Sequence, residues 1–243
     1  LEKIMLKLFY SPGAVALASH IALEESGLDY ETVRISFGDN EQKAPEYLKI
    51  NPKGRVPSLV TDRGILTETP AILVYISQLC PEKNLAPLDD PFAFAEAQSF
   101  NNYLCSTVHV AHAHGGRGHR WADQETSFAD MKQKVSRTMT ECFELIEGEM
   151  VKGPWVLGDT FSVCDMYLYT VARWLTGDQV DIRKFDKVAA ISDAIEARPA
   201  AARSRTASTR RPCGRTAAAR SGTARPRRAD RSTRCTHRRA RAS

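Results

Sequence analysis

The 243-residue sequence predicts an α/β domain followed by an all-α, helical-bundle domain, with a basic carboxy-terminal stretch outside both. Three observations lead there. The first 80 residues alternate strand-like and helix-like patterns in the order βαβ then ββα, and from residue 92 onward every apolar run has a helical period. Beyond Pro199 the large apolar residues cease.

Leu6-Lys7-Leu8-Phe9-Tyr10 alternates and runs into Ser11-Pro12-Gly13, a short strand ending in a turn. Residues 14–26 place Val15, Ala18, Ile21 and Ala22 on one helical face with Leu17 and Leu23 beside it, and Gly27 stands where a left-handed cap belongs. A β-branched strand over 31–36 follows. Strand, helix and strand at this spacing predict a crossover between parallel neighbours. Residues 45–50 form a short helical turn ended by Asn51-Pro52-Lys53-Gly54. Residues 57–60 and 65–67, joined by Thr61-Asp62-Arg63-Gly64, form a hairpin, and an amphipathic helix over 70–80 is stopped by Pro81.

Two prolines and two aspartates between 85 and 91 mark a linker, so the domains are expected at 5–82 and 92–199 with 83–91 between them. Residues 92–112 read as one long amphipathic helix, broken by Gly115-Gly116-Arg117-Gly118, and 128–150 as another, ended by Lys152-Gly153-Pro154. Ser162 with Asp165 three residues on, flanked by Phe161 and Met166, reads as a capping box and staple that opens a helix to about Leu175. A last helix is expected over 187–197, before Arg198-Pro199.

Charge is unevenly distributed. Residues 200–243 hold fourteen Arg against one Asp, so they carry +13 of an overall +5 and leave −8 for residues 1–199. They contain no Val, Ile, Leu, Met, Phe, Trp or Tyr. Side chains this small offset little of the roughly 1 to 2 kcal/mol of backbone entropy lost per ordered residue, so the whole stretch is expected to be disordered. Its vocabulary matches a GC-rich frame read out of register near residues 198–202, which the native gene's nucleotides would reveal. A nucleic-acid-binding arm is the rival reading, against which stands the lack of any aromatic residue among the arginines.

No run approaches 18 apolar residues and no charged-then-apolar leader opens the chain, so a soluble, cytoplasmic protein with no membrane partner is expected. Leu1 is no initiator, and Met5 is the expected natural start. The six cysteines form no CxxC pair, and reduced, mostly buried thiols are expected.

Three segments together resemble the glutathione transferases, most closely their bacterial beta-like branch. They are Lys7-Leu8-Phe9-Tyr10-Ser11-Pro12-Gly13-Ala14 with Ser19 to Glu25 behind it, Asn51-Pro52-Lys53-Gly54-Arg55-Val56-Pro57-Ser58-Leu59 followed by Leu66 to Ile72, and Trp155-Val156-Leu157-Gly158-Asp159 running into the capping box. The resemblance implies a thioredoxin-like first domain, glutathione as co-substrate, no metal, and a homodimer. It implies conjugation of glutathione to a small hydrophobic electrophile, as in detoxification; the runner-up is a non-catalytic or chaperone-like module on the same fold.

Such a site must keep a bound thiol ionised, and lowering a thiol pKa from about 8.5 by two units takes roughly 2.7 kcal/mol. A helix amino terminus plus one hydroxyl donor supplies that order of energy. Tyr10 and Ser11 are the candidate donors, with amides near Ala14 and Val15 adding to the field; alternatively Tyr10 merely ends a strand and Ser11 merely caps a helix. Beta-like members carry a cysteine where this chain has Val15, and its absence argues against thiol exchange and for nucleophilic conjugation. The resemblance implies that Val56, before a cis Pro57, pairs its backbone with the cysteinyl unit. It likewise implies that Glu68 and Thr69 hold the γ-glutamyl end, unless they form a plain helix cap.

Lys53 is a candidate partner for the glycine carboxylate, or else a solvated loop lysine. Asn102, Ser106 and His109 fall at i, i+4 and i+7 and are expected on one helix face; the resemblance implies that this face lines the site, where His109 could orient the thiol or assist proton transfer. A metal cluster of His109, His112, His114 and His119 is disfavoured, because no carboxylate or cysteine completes it. Arg117, Arg120 and Trp121 are expected to shape the second-substrate pocket.

Overall fold

The computed structural model describes residues 5–209. Its amino-terminal half is a four-stranded sheet of β1 (Leu6–Tyr10), β2 (Tyr30–Arg34), β3 (Ser58–Thr61) and β4 (Gly64–Thr67), in the order β2-β1-β3-β4. β1 runs parallel to β2, with Leu6 opposite Tyr30, and antiparallel to β3, with Phe9 opposite Ser58. Helix α1 (Ala16–Ser26) makes the crossover and closes on Gly27, whose φ of 72° is the expected left-handed cap.

Successive strand residues point to opposite faces, so β1 sets Tyr10 against His20 of α1 and Phe9 against Tyr47 of α2 (Pro45–Ile50). α3 (Thr69–Leu79) packs beside α1. The sequence pattern shows one apolar face of α1 and its flanks, yet every residue from Ala16 to Leu23 is buried, because α3, α7 (Val163–Ala172) and α9 (Pro199–Thr209) surround it. Burial holds the His20 imidazole down at about 4, neutral between the rings of Tyr10 and Tyr30.

Past a 3₁₀ turn at Pro81–Lys83, residues 84–90 lead into α4 (Pro91–Tyr103), which Asp90 caps by accepting from the Phe92 and Ala93 amides. Leu85 ties this connection to the second half by accepting from the Val163 amide at 2.9 Å. The single helix expected over 92–112 is three pieces: α4, a π turn at Leu104–Val108, and α5 (His109–Ala113). α6 (Glu125–Leu145) likewise ends in a π turn at Ile146–Met150. α7 is buried along its whole length and opens on the expected capping box of Ser162 and Asp165. α8 is Asp186–Glu196.

The segment after Pro199 corrects the expectation of disorder from residue 200. α9 continues to Thr209, and its small side chains are the reason it fits. Ala200, Ala201 and Ser204 are buried where α9 packs against α1, and their short side chains let the two helices lie close together. Alanine is also the best helix former, so little entropy opposes this packing. Its rim is ionic: Arg198 makes a two-pronged pair with Glu25 at 2.6 and 2.9 Å while lying 4.0 Å over Phe161, Arg203 pairs with Glu24, and Arg205 donates to the Tyr169 hydroxyl at 2.7 Å. Residues 210–243, including Cys213 and Cys235, lie outside the described residues. Cys80, Cys105, Cys142 and Cys164 are free thiols.

Candidate active site

The turn after β1 is built to point amides outward. Pro12 has no N–H, and Gly13 takes φ 74°, a left-handed conformation that disfavours any residue with a Cβ. The Ala14 amide is used inside the turn, donating to the Ser11 carbonyl at 3.2 Å. The first helical donors left over are therefore those of Val15 and Ala16, one residue later than the sequence suggests. Ser11 is buried beside them, and it does not cap α1: the helix starts after Val15 with no side-chain cap. Tyr10 is turned inward onto His20, with ring centroids 5.5 Å apart, and burial raises its phenol above the usual value, against a smaller opposing pull from Arg34.

The turn at 51–57 is held by a side chain the sequence reading passed over. Asn51, fully buried, donates to the Arg55 carbonyl at 2.7 Å and accepts from the Lys53 amide at 3.2 Å. Tyr47 reinforces it, donating to the same Arg55 carbonyl at 2.6 Å. Gly54 has no alternative there, since φ is 60° and a Cβ would lie 2.9 Å from the Gln42 carbonyl. The result is the cis bond between Val56 and Pro57, with the Val56 N–H and C=O taken by no other described residue.

Glu68 adopts φ 69° and ψ 123°, a conformation costing about 1 to 3 kcal/mol in a non-glycine residue, which marks a position held by its surroundings. It sits immediately before α3, whose first residue is the buried Thr69. Lys53 is not an open loop lysine; its ammonium donates to the Glu68 carboxylate at 2.6 Å and to the Thr67 hydroxyl at 2.7 Å. The structure thus brings Lys53, Glu68 and Thr69 together at the start of α3.

In the helical half the structure separates residues that the spacing places together. The π turn inserts one residue, so the faces before and after it are out of phase by about 100°. Ser106 donates to the Asn102 carbonyl at 2.8 Å and lines a cleft of about 440 Å³ on the α6 side with Tyr103, Val110, His114, Thr138 and Cys142. Asn102 is exposed. Cys105, half-buried between these two faces, is the residue of the π turn that feels the charge of Glu68 and the neighbouring Tyr167 hydroxyl. Burial pushes the Cys105 thiol up, so it stays protonated.

His109 packs on Trp174 with ring centroids 4.9 Å apart. Burial first, then the Arg117 charge, with smaller contributions from His112, Arg120 and Arg55, hold its imidazole at about 4. It is therefore neutral near pH 7, a hydrogen-bonding group rather than an efficient proton acceptor. Trp174 joins the halves: its indole N–H donates to the Gly13 carbonyl at 3.1 Å across 161 residues of sequence. His112 stacks on the same indole at 4.4 Å and 18°, and Asp178 holds His112 through Nδ1 at 2.7 Å.

Removing the indole N–H while keeping the ring, in Trp174→Phe, is expected to lower kcat/KM by about 2- to 10-fold, the worth of one net hydrogen bond. The loss should fall on KM for the thiol substrate, as steady-state kinetics would register. Trp121 is exposed and packs edge-on to His114 at 4.4 Å. Among the described residues no group of three or more His, Cys, Asp or Glu side chains is placed to hold a metal ion.

Comparison with known proteins gives the same two halves. Residues 5–78 match the family described as glutathione S-transferase, N-terminal domain, and residues 117–199 match glutathione S-transferase, C-terminal domain. The chain is 29% identical over 196 residues to glutathione S-transferase GstA of Escherichia coli O157:H7, covering 80% of this chain and 94% of that one. It superposes on a glutathione transferase homolog from Sulfitobacter with bound glutathione at a TM-score of 0.81 and 45% identity, over 84% of this chain and 98% of the other. A bacterial beta class enzyme of Sphingomonas chungbukensis gives 0.74 at 30% identity over 84% and 98%. With both domains matched and similarity running from the first strand through the last conventional helix, this chain belongs to the glutathione S-transferase family.

Proposed function

We propose that the chain is a cytoplasmic glutathione transferase of detoxification, dimeric, with a glutathione-binding domain at 5–82 and a helical domain at 92–199. The observation that carries this reading is the loop after β1, where a buried serine lies four and five residues before two helix amides that no described backbone group uses. Glutathione lies along the 51–57 turn, its cysteinyl amide pairing with the Val56 N–H and C=O, with cis Pro57 fixing their direction. Its γ-glutamyl ammonium meets Glu68, and the carboxylate beside it meets Thr69 and the amino terminus of α3. Lys53, already paired with Glu68, positions that carboxylate and leaves the glycine end to Arg55.

Ser11 donates to the sulfur, and Tyr10 backs the turn with its ring on His20. Together with the α1 dipole this meets the roughly 2.7 kcal/mol that a two-unit drop in thiol pKa requires. The thiolate then attacks a small electrophile on the Trp174 side, where neutral His109 orients the reacting groups. Asn102 and Ser106, on the outward side of α4 and the π turn, take a role in glutathione binding only through a second subunit.

The non-catalytic alternative rests on Val15 standing in place of a cysteine; the similarity to transferases over both domains does not favour it. Incubation with glutathione and 1-chloro-2,4-dinitrobenzene decides. Conjugate formation saturating in both substrates is expected. Absence of both turnover and calorimetric glutathione binding by the folded protein would sink the proposal.

A further inference from the structure

An indole that joins two halves of a chain has to be aimed, and the contacts that aim Trp174 begin at Asp178, beyond the end of α7. The Asp178 carboxylate accepts from the His112 Nδ1–H at 2.7 Å. His112 lies almost flat on the indole, with ring centroids 4.4 Å apart and planes 18° from parallel. The indole N–H in turn donates to the Gly13 carbonyl at 3.1 Å. That carbonyl shares one planar peptide unit with the Ala14 N–H, which closes the turn by donating to the Ser11 carbonyl at 3.2 Å. Three links therefore run from Asp178 to the turn that carries Ser11.

Stability is a poor reason for this arrangement. The Asp178 side chain is 7% exposed, the most enclosed carboxylate of any ion pair among the described residues. Taking a carboxylate out of water costs several kcal/mol, and one imidazole partner offsets that only in part. What the pair supplies is direction, because a carboxylate on one ring nitrogen fixes both the tautomer and the tilt of the imidazole. Direction is also what the indole lacks. Trp174 is only half-buried, so packing alone leaves its side-chain torsions room to move, and a hydrogen bond weakens steeply as its angle closes. The Asp178 amide donates to the Trp174 carbonyl at 3.0 Å, which sets carboxylate and indole one turn apart, and His112 packs between them.

We propose that Asp178 is a positioning residue for the transfer reaction: it holds His112 flat against Trp174, so that the indole N–H keeps the Ser11 turn in the shape that receives the glutathione thiol. The proposal rests on the transferase reading above. Asp178 acts through the indole and not by contact with either substrate.

A double-mutant cycle in glutathione conjugation tests it. Asp178→Ala is expected to raise KM for glutathione by about 2- to 10-fold, no more than Trp174→Phe does, with kcat within about twofold of the parent. In the Trp174→Phe background no indole N–H is left to aim, and there Asp178→Ala changes KM by less than about 1.5-fold. Asp178→Asn, whose amide oxygen still accepts from His112, recovers most of the loss. Should Asp178→Ala fail to fold, His112→Phe takes its place in the cycle, since it keeps a ring on the indole and removes the Nδ1–H. Losses that add in the two backgrounds, or an Asp178→Asn as impaired as Asp178→Ala, overturn the proposal and leave the transferase reading standing. If the unmodified protein neither binds nor conjugates glutathione, the transferase reading fails instead. Crystal structures of the parent and Asp178→Ala then decide whether Asp178 aims the indole: a separation from the Gly13 carbonyl beyond about 3.5 Å in the variant is expected, and an unaltered bond overturns it.

Discussion

Replacing Ser11 with alanine is expected to lower kcat/KM for conjugation by about 10- to 100-fold and to raise the pKa of enzyme-bound glutathione by about one to two units. The size follows from the interaction removed. A hydrogen bond to an ion contributes about 1.5 to 3 kcal/mol, and 1.36 kcal/mol corresponds to one pKa unit or tenfold in rate. Because the hydroxyl does not cap α1, its loss leaves the helix start intact, and the two Val15 and Ala16 amides still supply part of the field. Ultraviolet absorbance of the bound thiolate, titrated with pH, measures the shift directly. An unchanged titration in Ser11→Ala, together with a raised one in Tyr10→Phe, would transfer the donor role to Tyr10.

The second large effect is on stability. Asp165 is completely buried, and its carboxylate accepts from the Val156 amide at 2.7 Å, the Ser162 amide at 2.8 Å and the Ser162 hydroxyl at 3.0 Å. It therefore fixes the start of α7 and the turn before it at once. Asp165→Ala leaves three donors buried without partners, and a loss of about 3 to 5 kcal/mol is expected in chemical denaturation.

The loss also depends on pH. Burial lifts the folded-state carboxyl from its usual 3.8 to about 6, against the opposing pull of the Val156 and Ser162 donors. Between about pH 4 and 6 the folded chain thus holds a proton that the unfolded chain releases, so this contribution is greatest in acid and declines as pH rises through 6. The gap between the parent and Asp165→Ala should accordingly be wider at pH 5 than at pH 7. A gap that narrows on acidification would show the carboxyl to be held below its ordinary value instead.

Local chemistry made much of the fold legible. Alternation and turn residues mark β1 and the β3–β4 hairpin, Gly27 marks the end of α1, and Ser162 with Asp165 marks the start of α7, because each signal is contained within a few residues. The π turn is not legible, since one extra residue barely disturbs an apolar period spread over twenty. That is why Ser106 was expected beside His109, when Ser106 lines the cleft on the α6 side and His109 packs on Trp174. Trp174 escapes for a different reason. It meets Gly13 only in three dimensions, and nothing near Trp174 in sequence points to that turn. α9 escaped because disorder was inferred from missing bulk, whereas short side chains let it lie close against α1.

The inserted turn between α4 and α5 acts as a phase shifter. Upstream of it the helix sets Ala97 and Phe100 into the core, and downstream it sets His109 and His112 against Trp174. Gaining or losing a single codon there would swing His109 and His112 by roughly a quarter turn while leaving the sheet and the 51–57 turn as they are. A lineage could in this way exchange electrophiles by indel, without any substitution in the half that grips the tripeptide.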